Sequence, residues 1–209
     1  MSAPVCIVDF GVGNRRSVEK ALAKAGVPAV MSSSPETIES SGGIVLPGVG
    51  AFPAAMDRIK SLGLDVAIRN AAAAGTPILG ACLGLQLLFD RSEELGGADG
   101  LGLIAGEVVR LNAPDAKLPH IGWSPVQWTG NPALADEIPD ASSFYHVHSF
   151  VAIPRDINVV VGWSEYGNRF ASVVAEGNVF GVQFHPEKSS TLGLRMLHNF
   201  GNICERASQ

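Results

Sequence analysis

A cysteine flanked by glycines lies near the middle of the chain, in the heptapeptide GACLGLQ at residues 80–86. Apolar residues precede it, and a Gly-x-nucleophile-x-Gly turn is typical of a strand that turns sharply into a helix and holds its nucleophile at the edge of a sheet. A helix N-terminus also favours the thiolate form of a cysteine. The pattern therefore indicates Cys82 as a nucleophile, although a free cysteine is also a common buried packing residue.

A histidine and a glutamate that could serve this thiol follow a second apolar run, in the heptapeptide GVQFHPE at residues 181–187. Pro186 biases the residue before it toward extended backbone, and residues two apart on an extended segment share a face. We therefore expect His185 and Glu187 to reach the same pocket. There the imidazole would accept and return the proton of the thiol, and the carboxylate would hold it in the required tautomer.

A glycine-rich loop, PGVGAF at residues 47–52, follows a predicted buried strand and offers main-chain N–H groups. Attack of a thiolate on an amide creates a tetrahedral oxyanion, which two fixed N–H donors stabilise. One donor is expected at Leu83, directly after the nucleophile, and the other at Val49 or Gly50 of the loop. A plain strand-to-helix turn is the alternative interpretation of this loop.

Length and composition limit the class of protein. The chain has 209 residues, of which 46% are hydrophobic, and a net charge of -5, which suits a single α/β domain spanning residues 1–209. The absence of a basic tract argues against a nucleic-acid partner. The longest apolar stretch, residues 78–89, is too short for a membrane helix, which needs about 20 residues.

The cysteine pattern and the N-terminus indicate a cytoplasmic protein. Cys6, Cys82 and Cys204 show neither the spacing of a zinc site nor a disulfide framework. Residues 1–4 lack the basic start of a signal peptide, and the apolar run that follows fits a first strand. A reducing compartment is therefore expected.

The first half of the chain alternates strands and helices in the rhythm of a parallel sheet. The predicted strands are 5–9, 29–32 and 43–46, and the predicted helices are 16–25 and 54–74, the second one broken near Gly63. The second half has valine-rich alternating segments that look like hairpins added to that sheet. These segments are 106–111, 125–128, 144–152, 159–163, 170–176 and 178–184, before a closing helix at 192–205.

Taken together, the cysteine turn, the glycine-rich loop and the HPE segment resemble the class I, or triad, glutamine amidotransferases. These enzymes hydrolyse the side-chain amide of glutamine to supply ammonia to a synthase. Three further segments are similar to one branch, the glutaminase subunits of imidazole glycerol phosphate synthase in histidine biosynthesis: DFGVGN at 9–14, PHIGW at 119–123 and HPEKSS at 185–190. The resemblance covers nearly the whole chain. It implies a flavodoxin-like three-layer α/β fold with a mostly parallel central sheet and antiparallel strands added in the second half.

The resemblance also implies roles for individual residues. It makes Cys82 the nucleophile, His185 the general base and acid, and Glu187 the orienting carboxylate. The residues that it assigns to glutamine binding are Gly48, Gly50, Gln86, His148 and Ser149. The residues that it assigns to a partner surface are Asn14, Arg15, Trp123 and Lys188. The chain departs from the family pattern at Ser124, where asparagine is frequent, and at His146, where an aromatic residue is usual.

The implied partner is a cyclase subunit with a (β/α)8 barrel, which forms a heterodimer with the glutaminase and receives its ammonia. The barrel then produces imidazole glycerol phosphate and an aminoimidazole carboxamide ribotide. No cofactor is expected, and no metal. His146 and His148, two apart in a predicted strand, could be read as a metal pair, but no acidic or cysteine companion lies nearby in the sequence.

Three other interpretations are open to the sequence. A dinucleotide-binding module is suggested by Gly11 and Gly13 after the first strand, but Arg16 stands where the third glycine of that fingerprint belongs. A free-standing cysteine peptidase or thiol hydrolase would share the cysteine turn, the histidine and the acid. Within the amidotransferases, the subunits serving anthranilate, pyridoxal phosphate or guanylate synthesis share the same triad.

Overall fold

The structure is a computed structural model that describes residues 3–209. Met1 and Ser2 lie outside the described residues. They belong to residues 1–4, whose sequence does not resemble the start of a signal peptide. The strands of residues 3–209 are β1 Val5–Val8, β2 Ala29–Ser32, β3 Gly43–Leu46, β4 Ile78–Ala81, β5 Phe89–Ser92, β6 Ala98–Asp99, β7 Ile104–Arg110, β8 His120–Trp128, β9 Ser142–His148, β10 Phe150–Pro154, β11 Val160–Tyr166, β12 Asn168–Glu176 and β13 Val179–Val182. The α-helices of the same residues are α1 Arg15–Lys24, α2 Pro35–Glu39, α3 Phe52–Ser61, α4 Leu64–Ala73, α5 Leu83–Leu87 and α6 Ser190–Ala207.

A central sheet of nine strands is formed within residues 3–209, in the order β2-β1-β3-β4-β13-β12-β11-β8-β9. The pairs from β2 to β13 are parallel, and the pairs from β13 to β9 are antiparallel. The sheet therefore has a parallel part made by the alternating first half of the chain and an antiparallel extension made by the second half. This confirms the predicted fold class.

Helices cover both faces of the parallel part because its strands bury alternate side chains on opposite sides. Cys6 and Val8 of β1 join a cluster that includes residues of α2, α3 and α4. Val5 and Ile7 of the same strand join a second cluster, with residues of α1 and α6. The result is a helix–sheet–helix arrangement of three layers.

One part of the sequence-based topology was wrong. The segments 106–111 and 144–152 were expected to extend the central sheet, and β9 does so over residues 144–148. However, β7 and β10 pair with each other in a separate sheet of order β10-β7-β5-β6. The apolar side of this small sheet packs into the same cluster as α3 and α4, with Val108 and Ala152 fully buried there. An alternating pattern reveals that a strand has one buried face, but it does not reveal which surface covers that face.

Several boundaries also differ from the sequence-based expectation. The helix predicted at 54–74 begins earlier, at Phe52, and its predicted break is confirmed: α3 and α4 are separated at Gly63, whose φ of +68° is easily adopted by glycine. The helix after the cysteine, α5, ends after five residues and is followed at once by β5, which had no counterpart in the prediction. None of the helices among the described residues is long and apolar enough to cross a membrane.

The turn between β4 and α5 passes so close to neighbouring backbone that side chains are excluded. A Cβ atom on Gly84 would lie 1.8 Å from the carbonyl oxygen of Leu46 in β3, and one on Gly80 would lie 2.5 Å from the carbonyl oxygen of Gly84. Both distances are far below any van der Waals contact. The spacing Gly-x-Cys-x-Gly is thus a steric requirement of this turn.

The steric requirement predicts an unequal effect of two glycine substitutions. Gly84→Ala should cost more than about 3 kcal/mol of folding free energy, because the methyl group meets rigid main chain. Gly75→Ala is the matched control, since Gly75 also sits at the end of a secondary-structure element but has open space around its Cβ position and only a strained φ of +88°. It should cost about 1–2 kcal/mol. Denaturant titration of both variants checks this, and equal losses would contradict the steric account.

Candidate active site

Cys82 sits at the carboxyl end of β4 with a backbone conformation that is rare for a side-chain-bearing residue, φ +55° and ψ -109°. Its N–H donates to the carbonyl of Val182 in the neighbouring strand β13, at 2.8 Å. Its sulfur lies 3.6 Å from the carbonyl oxygen of Val147 and 4.0 Å from the Nε2 of Gln183. The strained backbone thus holds the sulfur beside Val147 of β9 and beside Gln183, which directly follows β13.

His185 and Glu187 meet, but by a different local structure from the one expected. His185 has extended backbone, whereas residues 186–188 form a single 3₁₀ turn, so the two side chains are brought together by a turn and not by a shared strand face. The Nδ1 of the imidazole lies 2.9 Å from the Oε1 of the carboxylate. Both side chains are buried, with 5% and 2% of their surfaces exposed.

Main-chain and side-chain hydrogen bonds hold this turn in place. The N–H of His185 donates to the carbonyl of Tyr145 in β9, at 2.9 Å. The Ser189 hydroxyl donates to the carbonyl of His185, at 2.7 Å, and accepts from the N–H of Tyr145, at 3.0 Å. Asn14 donates through Nδ2 to the Oε1 of Glu187, at 3.3 Å. Three separate parts of the chain therefore fix the imidazole and its carboxylate.

The electrostatic setting of His185 favours the imidazolium. Burial by itself lowers the pKa of His185, but hydrogen bonds and charge interactions with the Cys82 sulfur and the Glu187 carboxylate outweigh it and raise the pKa to about 9. The three side chains form one coupled unit, in which a cationic imidazole stands between a thiol and a carboxylate. Such a unit can deliver a proton to a leaving group after the sulfur has attacked.

A cavity of about 340 Å³ opens above the thiol. It is large enough for a small amino acid, and Cys82 and His185 both line it. The sequence-predicted residues that also line it are Val49, Gly50, Leu83, Gln86, His148, Ser149 and Lys188. The structure thus brings the predicted nucleophile, base, oxyanion candidates and most of the predicted substrate residues to one place.

The glycine-rich loop packs directly against the cysteine turn. A Cβ atom on Gly48 would lie 2.8 Å from the Cβ of Leu83, so only glycine allows this approach. Val49 is 40% exposed at the cavity, and Gly50 has a φ of +110°, a conformation that favours glycine. The loop lies beside the N–H of the residue after the nucleophile, where the sequence predicted a second donor.

Glu94 and Gln183 are two of the cavity-region residues that sequence reasoning missed; Arg110, Pro119, Val147 and Phe150 also line the cavity. Glu94, which lies in a single 3₁₀ turn after β5, lines the cavity and accepts at Oε2 from the N–H of Phe52, at 2.8 Å. Gln183 is fully buried and connects the thiol to Gln86, whose Nε2 lies 3.3 Å from its Oε1. The position of Gln183 two residues before His185 is a usable signal, whereas Glu94 follows a strand that the sequence did not predict.

The four residues predicted to face a partner differ in their exposure and in the side chains that they contact. Trp123 is 53% exposed, and its ring lies 5.9 Å from the ring of Tyr145. Lys188 is exposed, with its Nζ 5.9 Å above the same tyrosine ring. Arg15 forms an ion pair with Asp9. Asn14 is used within the site itself, through its hydrogen bond to Glu187 (above).

The paired histidines are not arranged for a metal. His146 and His148 lie beside a third histidine, His120, and the rings stack or meet edge to face with centroids 5.0–5.6 Å apart. Among the residues that the structure describes, no group of three or more histidine, cysteine or acidic side chains is placed to hold a metal ion.

A larger groove of about 750 Å³, between the loop after β8 and Arg206, is lined by no cysteine, serine or histidine.

Comparison with known proteins identifies the class that this fold and site define. The family profile described as glutamine amidotransferase class-I matches residues 6–203. The chain therefore belongs to the class I glutamine amidotransferase family.

Within this family, the chain is 50% identical to the imidazole glycerol phosphate synthase subunit HisH of Moorella thermoacetica, over 98% of this chain and 97% of that protein. It is 45% identical to the HisH subunit of a Bacillus cereus strain, over 96% and 95% of the two chains. These relatives confirm the resemblance read from the motifs.

Solved structures agree on the fold. A putative GMP synthase protein from Thermoplasma acidophilum superposes with a TM-score of 0.73 at 20% identity, covering 99% of this chain and 96% of that one. The structure of PurLQS from Thermotoga maritima superposes with a TM-score of 0.72 at 19% identity, covering 97% and 99%. At such low identity, these neighbours carry only the architecture.

Alkylation should distinguish the three cysteines sharply. Burial raises the pKa of Cys6 to about 11 and that of Cys204 to about 12, so neither forms a thiolate near neutral pH. Cys82 lines the open cavity beside the imidazole. Iodoacetamide at pH 7.5 should therefore add one group per folded chain, located at Cys82 by peptide mass spectrometry, and Cys82→Ala should take none. Labelling of Cys6 or Cys204 in the folded protein would contradict this account.

The raised pKa of His185 predicts the alkaline side of the pH profile for glutamine hydrolysis. The imidazolium that protonates the leaving group is lost as pH rises through about 9, so kcat/KM should fall there. Glu187→Gln removes one of the two interactions that raise this pKa, and the alkaline limb should move down by about one pH unit or more. Glu165→Gln, on the exposed end of β11, is the matched control and should leave the limb in place. An unmoved limb in Glu187→Gln would contradict the assignment.

Proposed function

We propose that this chain is the glutaminase subunit of an imidazole glycerol phosphate synthase and works in histidine biosynthesis. The observation that carries the proposal is that Cys82 and His185 line one small cavity and that Glu187 is hydrogen-bonded to His185, in a chain whose curated relatives are HisH subunits. The three cysteines are free thiols, which agrees with a reducing compartment such as the cytoplasm.

The reaction follows from the geometry of the three side chains. The Cys82 sulfur attacks the γ-carboxamide carbon of glutamine and forms a tetrahedral adduct. The imidazolium of His185 gives its proton to the departing nitrogen, which leaves as ammonia, and a γ-glutamyl thioester remains on the sulfur. A water then gives a proton to the same imidazole, attacks the thioester and releases glutamate. Glu187 keeps the imidazole oriented throughout.

Main-chain N–H groups stabilise the negative oxygen of both tetrahedral adducts in this proposal. One donor is the N–H of Leu83, and the other comes from the loop at Gly48, Val49 or Gly50. The close packing of this loop on the cysteine turn supports the assignment. Because hydrolysis without an acceptor wastes ammonia, we expect the loop to present its N–H fully only when the synthase partner holds its own substrate.

The cavity supplies one carboxylate and several neutral polar groups for the amino-acid end of glutamine. The carboxylate of Glu94 suits the α-ammonium group, since it already lies at the cavity wall. The main chain at Ser149 and the amide of Gln86 suit the α-carboxylate and the neighbouring carbons. Gly50 and His148 complete the wall, so the substrate is held with its side-chain amide toward the sulfur.

The proposed partner is a (β/α)8-barrel cyclase subunit that binds the side of the molecule near Trp123 and Lys188 as a heterodimer. An exposed tryptophan is an unusual surface residue and a frequent anchor of protein interfaces. Asn14 and Arg15 lie at the start of α1, and Asn14 contacts Glu187, so a partner that engages this segment would also touch the triad. Ammonia released at the cavity would pass into the barrel, which forms imidazole glycerol phosphate and an aminoimidazole carboxamide ribotide.

Glutamate release from glutamine tests this proposal. The purified chain is assayed alone, with a barrel cyclase, and with the cyclase plus its nucleotide acceptor or a product analogue. We expect a slow reaction alone and a stimulation of about 100-fold or more with the liganded cyclase, because oxyanion donors contribute on the order of 10²–10³ in rate. Cys82→Ala should remove the activity in all three conditions and leave the folded structure unchanged.

Other results would redirect the assignment in defined ways. Equal rates with and without the liganded cyclase would contradict coupling to this partner. Hydrolysis that responds to a different synthase would place the chain in another branch of the family. Full activity in Cys82→Ala would contradict the mechanism, and activity on a panel of peptides with none on glutamine would favour a free-standing thiol hydrolase.

A further inference from the structure

A chain of buried hydrogen bonds leads from the antiparallel part of the central sheet to the cavity. The Ser124 hydroxyl lies 2.9 Å from the Nε2 of His120, and the Nδ1 of His120 lies 3.1 Å from the Nε2 of His148. The Nδ1 of His148 lies 3.1 Å from the carbonyl oxygen of Phe150. We call these four groups the histidine relay. Its three polar side chains are each less than 8% exposed.

The direction of every hydrogen bond in the relay follows from one fact. The carbonyl oxygen of Phe150 only accepts, so the Nδ1 of His148 must carry a hydrogen and, in the neutral ring, its Nε2 must be an acceptor. The Nδ1 of His120 must then donate to that Nε2. The Nε2 of His120 is left as an acceptor, and only the Ser124 hydroxyl can donate to it. The network therefore has one self-consistent arrangement of hydrogens.

Both imidazoles of the relay are kept neutral by their surroundings. Burial lowers the pKa of His120 to about 4 and holds the pKa of His148 well below its ordinary value. Tyr166 stacks on His120 with ring centroids 4.1 Å apart, and the edge of Phe170 packs against both rings. Among residues 3–209, no carboxylate is hydrogen-bonded to either ring.

The end of the relay is a part of the cavity wall. The Phe150 carbonyl accepts a second hydrogen bond from the Nε2 of Gln86, at 3.1 Å, so both of its lone pairs are used. The preceding carbonyl, that of Ser149, accepts from the N–H of Leu111, at 2.8 Å. Gln86, His148, Ser149 and Phe150 all line the cavity. The orientation of the Ser149–Phe150 main chain is thus fixed from one side by the relay and from the other by Gln86.

We propose that His120, supported by Ser124, is a positioning residue for substrate binding: through His148 it sets the Ser149–Phe150 main chain and Gln86 in the orientation that receives the amino-acid end of the substrate. His120 does not line the cavity, so it acts only through the other members of the relay. The inference rests on the proposed glutamine pocket, and it assigns to the PHIGW segment, between β7 and β9, a task inside the glutaminase itself.

Two substitutions at one position separate the hydrogen bond from the packing. His120→Phe keeps a flat ring for the stack on Tyr166 but leaves the Nε2 of His148 without a donor. His120→Asn places an amide N–H near the former position of Nδ1 and can restore that donor. Ser164→Ala is the control, because Ser164 is also a buried hydroxyl, donates to the Pro125 carbonyl in the same sheet and takes no part in the hydrogen bonds of the relay.

The readout compares two reagents that alkylate the same sulfur. 6-Diazo-5-oxo-L-norleucine carries the amino-acid end of glutamine, whereas iodoacetamide lacks it. In His120→Phe, we expect kinact/KI for the diazo compound to fall about tenfold, mainly through KI, with the iodoacetamide rate within about twofold of the wild type, because the buried acceptor of His148 is left without its donor. His120→Asn should recover to within about threefold, and Ser164→Ala should match the wild type.

Nitrogen-15 NMR of the wild-type chain tests the relay directly and requires no variant to fold. The proposal requires the Nδ1–H tautomer for both His120 and His148, and a scalar coupling across the hydrogen bond between them. His120 protonated at Nε2, or an unchanged diazo-compound constant in a folded His120→Phe, would overturn the proposal, and so would equal losses with both reagents. Wild-type protein that reacts with iodoacetamide but not with the diazo compound would instead overturn the proposed glutamine pocket. The NMR measurement would still test the hydrogen bonds of the relay independently of that pocket.

Discussion

The parallel pairing of β4 with β13 is the constraint on which the rest of the site depends. Ala81 stands opposite Val182, and the next residue, Cys82, donates its N–H to the Val182 carbonyl. Neighbouring strands lie about 4.8 Å apart, so Cys82 and His185, the proposed nucleophile and proton donor, emerge from the sheet side by side. The glycines of the cysteine turn, the buried Gln183 and the turn that carries Glu187 all help to hold the side chains of Cys82 and His185 next to each other.

Histidines in this small region take opposite charge states because their partners differ. His185 has a carboxylate and a sulfur beside it, which overcome the effect of burial on its pKa. His120, His146 and His148 are surrounded by aromatic rings, hydroxyl groups and carbonyl oxygens, and burial is the largest influence that lowers the pKa of each. The same side chain thus works as a proton carrier in one place and as a rigid hydrogen-bonding spacer a few ångströms away. The difference is a nearby countercharge: His185 is buried beside one, whereas the other three histidines are buried without one.

The sequence predicted the parts of the site whose residues belong to short sequence motifs. The turn around Cys82 has a steric signature in its glycines, and the HPE segment marks the base and its carboxylate, although the pair meets through a 3₁₀ turn and not along a strand. Glu94 was missed because its position depends on β5, which pairs with a strand fifteen residues further along the chain. The separate sheet was missed for the same reason. Alternation in the sequence shows that one face of a strand is buried, but long-range packing decides which surface covers that face.

Ser149 is the only residue between β9, the edge strand of the central sheet, and β10, the edge strand of the small sheet, in the described chain. A single residue therefore forms the shortest of the covalent connections between the two sheets, and that residue lines the cavity. Because a one-residue joint has almost no slack, any tilt of the small sheet against the central one must be absorbed by the backbone torsions of Ser149 and its neighbours. A load applied to the small sheet would therefore be transmitted through Ser149 to the wall of the cavity that is proposed to hold the substrate.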